Sequence, residues 1–266
     1  MKVVLFCGGL GMRLRDYSDQ VPKPMVPIGY RPIIWHLMKY YAHYGHKDFI
    51  LCLGHKADVI KKYFLNYEEH LTNDFVLSEG GKHVDLLGSD IHDWRITFVD
   101  TGATTNIGGR LRAVRKHLEG EEVFLANYTD NLSDLDLAAM QAAFTRSGAV
   151  AGFLCVRPNF SFHLVTTGEG DLVDGINSVH ETEVWSNGGY FILRKEIFDY
   201  MRDGEELVEQ PFRRLIQERR LYGYKYRGFW ACMDTFKEKQ SLEDLYNSGR
   251  PPWEVWRSPE EPAGSR

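Results

Sequence analysis

The sequence is short of several features that would have steered its reading. It holds four cysteines in 266 residues, and no two of them form a Cys-x-x-Cys pair. That excludes a cysteine knuckle for metal and any dense disulfide framework. Cys7, Cys52, Cys155 and Cys232 each lie in or beside an apolar run, the setting of reduced core cysteines in a cytoplasmic protein. No run of about 18 apolar residues occurs, so no membrane span is expected. The chain enters its first apolar run directly, without the charged and apolar regions of a secretory signal. Positive charge is not in excess either: the formal net charge is −5, which gives no reason to expect a nucleic-acid partner. Internal repeats and low-complexity segments are missing. So are the Walker spacing Gly-x-x-x-x-Gly-Lys-Ser/Thr and the dinucleotide spacing Gly-x-Gly-x-x-Gly.

What is present begins at residue 3. Residues 3–7 form an apolar run that reads as a buried strand. Gly8, Gly9 and Gly11 follow at once, then Arg13 and, further on, Lys23 before Pro24. Glycines let backbone N–H groups approach an anion closely, and a helix start beyond them adds partial positive charge. A glycine turn alone is as well read as an ordinary strand-to-loop turn; the two cations are what suggest a polyphosphate.

Downstream, apolar spacing predicts a helix over 32–45, a strand at 49–53 and a helix over 57–66. That alternation implies a parallel sheet with right-handed crossovers. Residues 67–93 break the rhythm and read as an insertion, a hairpin of 75–77 with 84–87. Strands follow at 95–99 and 123–127, with a helix from 111 to about 118 between them and another helix over 135–147. Strands at 149–156, 164–167, 172–179 and 189–193 come next, then helices at 196–201 and 211–219 and a strand over 222–229. The expected fold is α/β, an open, mostly parallel Rossmann-like sheet with an antiparallel extension from the second half. It forms one domain over residues 1–257, and residues 258–266 are expected to be a disordered tail. Ligand residues in such sheets gather at the carboxyl ends of strands. Asp130 and Asp234 both fall at such ends. Two carboxylates beside a phosphate cradle suit Mg²⁺, which takes few protein carboxylates and completes its shell with waters and phosphate oxygens.

The motifs then resemble those of a known family. Residues 8–14 (GGLGMRL) followed by 22–25 (PKPM) resemble the signature of the sugar-1-phosphate nucleotidyltransferases. Within these, the chain most resembles the bacterial glucose-1-phosphate cytidylyltransferases, in residues 33–36, 100–102, 108–111, 187–191, 228–235 and 252–256. The resemblance spans nearly the whole chain and implies the fold just described. It implies that Gly8, Gly9, Gly11, Met12 and Arg13 wrap the nucleotide, and that Lys23 contacts its α-phosphate. Gly108, Gly109 and Arg110 would lie by the base and ribose. Asp130 and Asp234 would hold Mg²⁺, while Asn187 and Gly188 would line the acceptor pocket. The implied nucleotide is CTP, the implied partner a small phosphorylated acceptor and the implied assembly a homo-oligomer. Arg13, Lys23 and Asp130 carry the chemistry in this reading.

The chain departs from the family in three places. The aspartate for metal is flanked by Thr129 and Asn131 where the family has glycines. Phe162-His163 replaces a Phe-Gly segment of the acceptor pocket. The Glu-Lys-Pro element ahead of Asn187 is missing, and with it the lysine that holds the acceptor phosphate; His180 and Arg157 are the nearby candidates to act in its place, and His163 and His180 are candidates to line the acceptor pocket. The acceptor is therefore a sugar 1-phosphate or, alternatively, a non-glucose sugar, polyol or other phosphorylated or phosphonate compound. A protein that binds nucleotide without turnover is the alternative of a different class.

Overall fold

The computed structural model describes residues 1–9, 21–158, 163–178 and 183–257. All four residues of β1 (Val3–Phe6) are buried, as a continuous apolar run must be when both faces of a sheet are covered. A short turn of β2 (Pro27–Ile28) and β3 (Arg31–Pro32) leads into α1 (Ile33–His43), for which Pro32 serves as N-cap. Next come β4 (Asp48–Leu53) and α2 (Ala57–Leu65), and then the insertion. Its two strands, β5 (Phe75–Ser78) and β6 (His83–Leu86), pair antiparallel as expected. The chain continues through β7 (Arg95–Asp100), α3 (Ile107–Ala113), β8 (Val123–Tyr128), β9 (Asn131–Ser133) and α4 (Leu137–Ser147). The second half supplies β10 (Ala151–Val156), a hairpin of β11 (His163–Thr167) and β12 (Val173–Ser178), and β13 (Ser186–Arg194). It closes with α5 (Gln210–Gln217), β14 (Leu221–Lys225), β15 (Trp230–Cys232) and α6 (Phe236–Asn247).

Seven strands form one sheet in the order β14-β10-β13-β8-β1-β4-β7. β13 is antiparallel to both its neighbours, β10 and β8, and every other neighbouring pair is parallel. Helices cover both faces. On one, Tyr40 and Tyr41 of α1, Ile60 of α2, Met140 and Phe144 of α4 and Leu242 of α6 join a single core. On the other, Leu111 of α3 and Phe212 and Leu215 of α5 pack over Phe6, Phe124 and Phe191. Among the described residues no helix is long and apolar enough to cross a membrane.

Three departures from the sequence reading have physical causes. The helix expected from 111 starts at Ile107, because the Asn106 side chain accepts the Gly109 N–H at 2.8 Å and caps it there. The strand expected over 222–229 is two strands: β14 stays in the main sheet, while β15 leaves it and pairs antiparallel with β9. Helix α6 has no counterpart among the expected elements, although a start signal for it lies in the sequence. Thr235 and Glu238 form a reciprocal capping box at its start.

Two tethers hold the periphery. Arg31, 1% exposed, donates to Thr72 Oγ1 and the Glu68 carbonyl of the insertion, and its guanidinium lies 4.2 Å from the Tyr67 ring centre. At the other end Trp253, also 1% exposed, donates through Nε1 to His36 Nδ1 on α1.

Candidate active site

The carboxyl ends of β1 and β8 are neighbours, since the two strands pair in parallel with Phe6 opposite Tyr128. The glycine turn leaves one end and the Asp130 turn leaves the other. The Thr129 hydroxyl donates to the Phe6 carbonyl at 3.0 Å and ties the two turns together. Asn131 Nδ2 donates to Asp130 Oδ1 and to the Tyr128 carbonyl, both at 3.2 Å. Thr129 and Asn131 thus brace Asp130 from either side.

Asp234 reaches the same place by another route. In the β9–β15 ribbon Asn131 lies opposite Cys232, and one step on, the Met233 N–H donates to the Asp130 carbonyl at 2.8 Å. Asp234 therefore emerges beside Asp130. Its own N–H donates to Glu238 Oε2 at 2.7 Å, so the capping box of α6 also fixes its backbone. Sequence reading missed this ribbon because three-residue strands carry too little periodicity to register.

Lys23 completes the cluster. It opens a single 3-10 turn (Lys23–Met25) whose cap is Pro22, with Pro24 inside it, and the fixed φ of each proline stiffens the segment. Its Nζ donates to Asp130 Oδ2 at 2.6 Å and to Asp234 Oδ1. Its side chain is 17% exposed, against 29% for Asp130 and 35% for Asp234. Burial would lower the pKa of this ammonium; the Asp130 carboxylate, then Asp234, outweigh burial and hold it above the ordinary lysine value.

Gly8, Gly9, Lys23, Asp130, Tyr128 and Ile107 line one cavity of about 160 Å³. Beneath it lies Arg110, 1% exposed. Its guanidinium donates to Thr101 Oγ1 at 2.7 Å, to the Leu53 carbonyl at 3.1 Å and to the Ala103 carbonyl at 3.3 Å. A Cβ on Gly8 would come within 2.0 Å of Arg110 Nη1. Here the glycine is required by close approach of the arginine below, whatever binds above. Gly108 meets a similar limit: a Cβ there would lie 2.2 Å from the Glu205 carbonyl oxygen. Gly109 gives its N–H to the Asn106 cap.

On β13, Asn187 hydrogen-bonds Tyr128 and its Oδ1 accepts the Gly189 N–H at 2.9 Å. Gly188 is buried, and its carbonyl accepts from Trp230 Nε1 at 2.8 Å. His163 stands at the start of β11, exposed and opposite Ser178. Gly11, Met12, Arg13, His180 and the tail 258–266 lie outside the described residues.

The donor set fits Mg²⁺. Asp130 and Asp234 both reach one nitrogen, so both can reach one cation. Among the described residues no three His, Cys, Asp or Glu side chains gather to hold a metal. Two carboxylates with the remaining positions left to water and phosphate is the usual provision for this ion.

The chain is similar to known proteins over nearly its whole length. The family model described as nucleotidyl transferase matches residues 2–231. The glucose-1-phosphate cytidylyltransferase of Salmonella typhimurium is 35% identical over 257 residues, covering 96% of this chain and 100% of the relative. The D-glycero-α-D-manno-heptose 1-phosphate guanylyltransferase of Campylobacter jejuni is 26% identical over 250 residues, with 93% and 98% covered. A solved structure of UDP-glucose pyrophosphorylase complexed with UDP-glucose matches with a TM-score of 0.67 at 14% identity, covering 92% of this chain and 98% of that one.

Proposed function

The chain belongs to the nucleotidyl transferase family, and from that premise we propose that it is a Mg²⁺-dependent cytidylyltransferase, joining CTP to a sugar 1-phosphate or related phosphorylated acceptor. The observation that carries the reading is the convergence of Asp130 and Asp234 on Lys23, with Lys23 and Asp130 lining one cavity with Gly8 and Gly9 of the glycine turn. An oxygen of the acceptor phosphate attacks the α-phosphorus of the nucleotide and forms a new P–O bond. The bond from the α-phosphorus to the α–β bridging oxygen breaks, and pyrophosphate leaves with the electron pair. Mg²⁺, held by Asp130 and Asp234, supplies charge neutralisation for the phosphates. Lys23, protonated and aimed at the same point, stabilises the charge that builds on the α-phosphoryl oxygens. Gly8 and Gly9 give the phosphates access to backbone, and Arg110 holds that turn from below. No protein nucleophile is needed, and none of the side chains in this cavity is one that the geometry activates. Cytidine as the base is favoured by the 35% identity to cytidylyltransferases.

Pyrophosphate release tests the proposal. The protein is offered each nucleoside triphosphate with a panel of sugar 1-phosphates, polyol phosphates and phosphonates. Release with CTP and one acceptor class is expected. Release with a different triphosphate overturns the base, and binding of nucleotide without release from any pair overturns turnover itself.

A further inference from the structure

The lysine that the family uses for the acceptor phosphate has no counterpart here, yet the acceptor side of the sheet is rich in positive charge. Three cations surround one indole. The Arg157 guanidinium lies 4.4 Å from the Trp185 ring centre, Lys225 Nζ 5.1 Å and the Arg227 guanidinium 5.4 Å. They come from three places: just past β10, the last residue of β14, and the loop beyond. Trp185 precedes β13, which runs the opposite way, so all of them meet at the edge where β8 delivers Asp130. Glu183 pairs with Arg157 at 3.0 Å, so among the described residues these three cations around the indole meet one carboxylate. Lys225 and Arg227 are exposed.

The cluster is continuous with the cavity. Leu154 and Val156 of β10 face the α1 side of the sheet, so Cys155 and Arg157 face the α3 side by strand alternation. Asn187 lies opposite Cys155 on β13, and Lys225 lies opposite Cys155 on β14. Tyr128, which lines the cavity, packs on that same α3 side and bonds Asn187. A path therefore runs from Lys23 and Asp130 past Tyr128 and Asn187 to Trp185 and its cations. From β8 to β10 it crosses two strand spacings, about 10 Å. That is too far for the phosphate that attacks beside Lys23, and comparable with the length of a phosphorylated sugar. Cations stacked on an aromatic face retain their N–H donors for a ligand.

We propose that the acceptor carries a second anionic group, a carboxylate or a phosphate, at the end remote from its attacking phosphate. Arg157, Lys225 and Arg227 around Trp185 form its subsite. This rests on the nucleotidyl-transfer reading above and narrows its substrate to a doubly anionic acceptor.

The test compares three acceptors with the wild-type enzyme and CTP: a hexose 1-phosphate, the matching hexuronic acid 1-phosphate and the hexose 1,6-bisphosphate. At least one doubly anionic acceptor is expected to exceed the neutral-ended one tenfold or more in kcat/KM, chiefly through KM. Which of the two does so tells carboxylate from phosphate. In Lys225→Gln/Arg227→Gln, a change confined to exposed side chains, the ratio should fall towards one. Equal kcat/KM in the wild type, or a preference that survives in the double variant, overturns the subsite. Calorimetric binding of the same compounds carries the comparison without turnover. If no pair releases pyrophosphate, the transfer reading fails; the subsite then stands or falls on whether the wild type binds the doubly anionic compounds tenfold tighter and the variant does not.

Discussion

The two halves of the sheet edge are built differently. Around β1 and β8 the working groups are braced by buried or half-buried bonds: Thr129 to the Phe6 carbonyl, Asn131 to Asp130, and the capping box of α6 to Asp234. Around β10, β13 and β14 the charged groups stack at the surface on Trp185, and between Arg157 and Glu183 the chain leaves for the β11–β12 hairpin. Every residue of β11 is exposed. Chemistry that needs fixed geometry sits where side chains cannot move without breaking buried contacts. In the proposed subsite, the acceptor would be selected where residues can be exchanged at little cost to the fold.

The contrast can be broken most severely at Lys23. Lys23→Ala is expected to lower kcat by at least about 10²–10³-fold, the usual effect of losing one preorganised charge at a transition state. Near-normal single-turnover rates in that variant would remove its role. Asp130→Ala and Asp234→Ala, like chelation of divalent cations, should abolish pyrophosphate release; chelation should be reversed by added Mg²⁺ and the substitutions should not. Arg110→Ala should lower unfolding stability by about 3 kcal/mol in denaturant titration, because it leaves carbonyls and a hydroxyl without their buried donor. Gly8→Ala should cost about 1–3 kcal/mol through overpacking against that arginine and raise KM for the nucleotide. An unchanged denaturation midpoint in both variants would show that the nucleotide side is not braced in this way.

A pH experiment probes the same contrast more gently. The folded-state pKa of Lys23 lies above its ordinary value of 10.5. Its contribution to stability is therefore fully present below about pH 10.4 and is lost as pH rises through the folded-state value. Alkaline unfolding of Lys23→Met should show less of that loss than the wild type; identical curves would mean that the bridge adds nothing. The smallest effect is expected on the hairpin. Val165→Thr and Ile176→Thr, at positions 55% and 63% exposed, should shift stability by no more than about 0.5 kcal/mol.

The parallel half of the fold was legible because each of its elements is long and strongly patterned. The runs at 3–7, 49–53 and 123–127 could only be buried strands, and the spacing over 32–45 only a helix. What escaped was short or depended on distant partners. β9 and β15 are three residues each, and nothing local announces that they pair. Lys23, Asp130 and Asp234 could be named from residue type and position at strand ends, but that they share one contact follows from the ribbon. Arg110 shows the converse. A cation at a helix start reads as a ligand contact, whereas its bonds to the backbone of other segments, which bury it, exist only in the folded chain. Helix α6 carries a local start signal in Thr235 and Glu238, but only Leu242 and Tyr246 along it are buried, too sparse an apolar pattern to mark a helix.

The bridge at Lys23 also has a consequence in time. It joins residues 107 and 211 positions apart in the chain. Contacts of such separation form late, after local helices and strand pairs have shortened the loops between them. The pairing of β1 with β8 spans a comparable stretch of the chain, from Val3 to Leu125, so the glycine turn and the carboxylates facing Lys23 come together at the same stage. Holding a triphosphate and breaking its α–β bond would then be gained together, in the last cooperative step of folding.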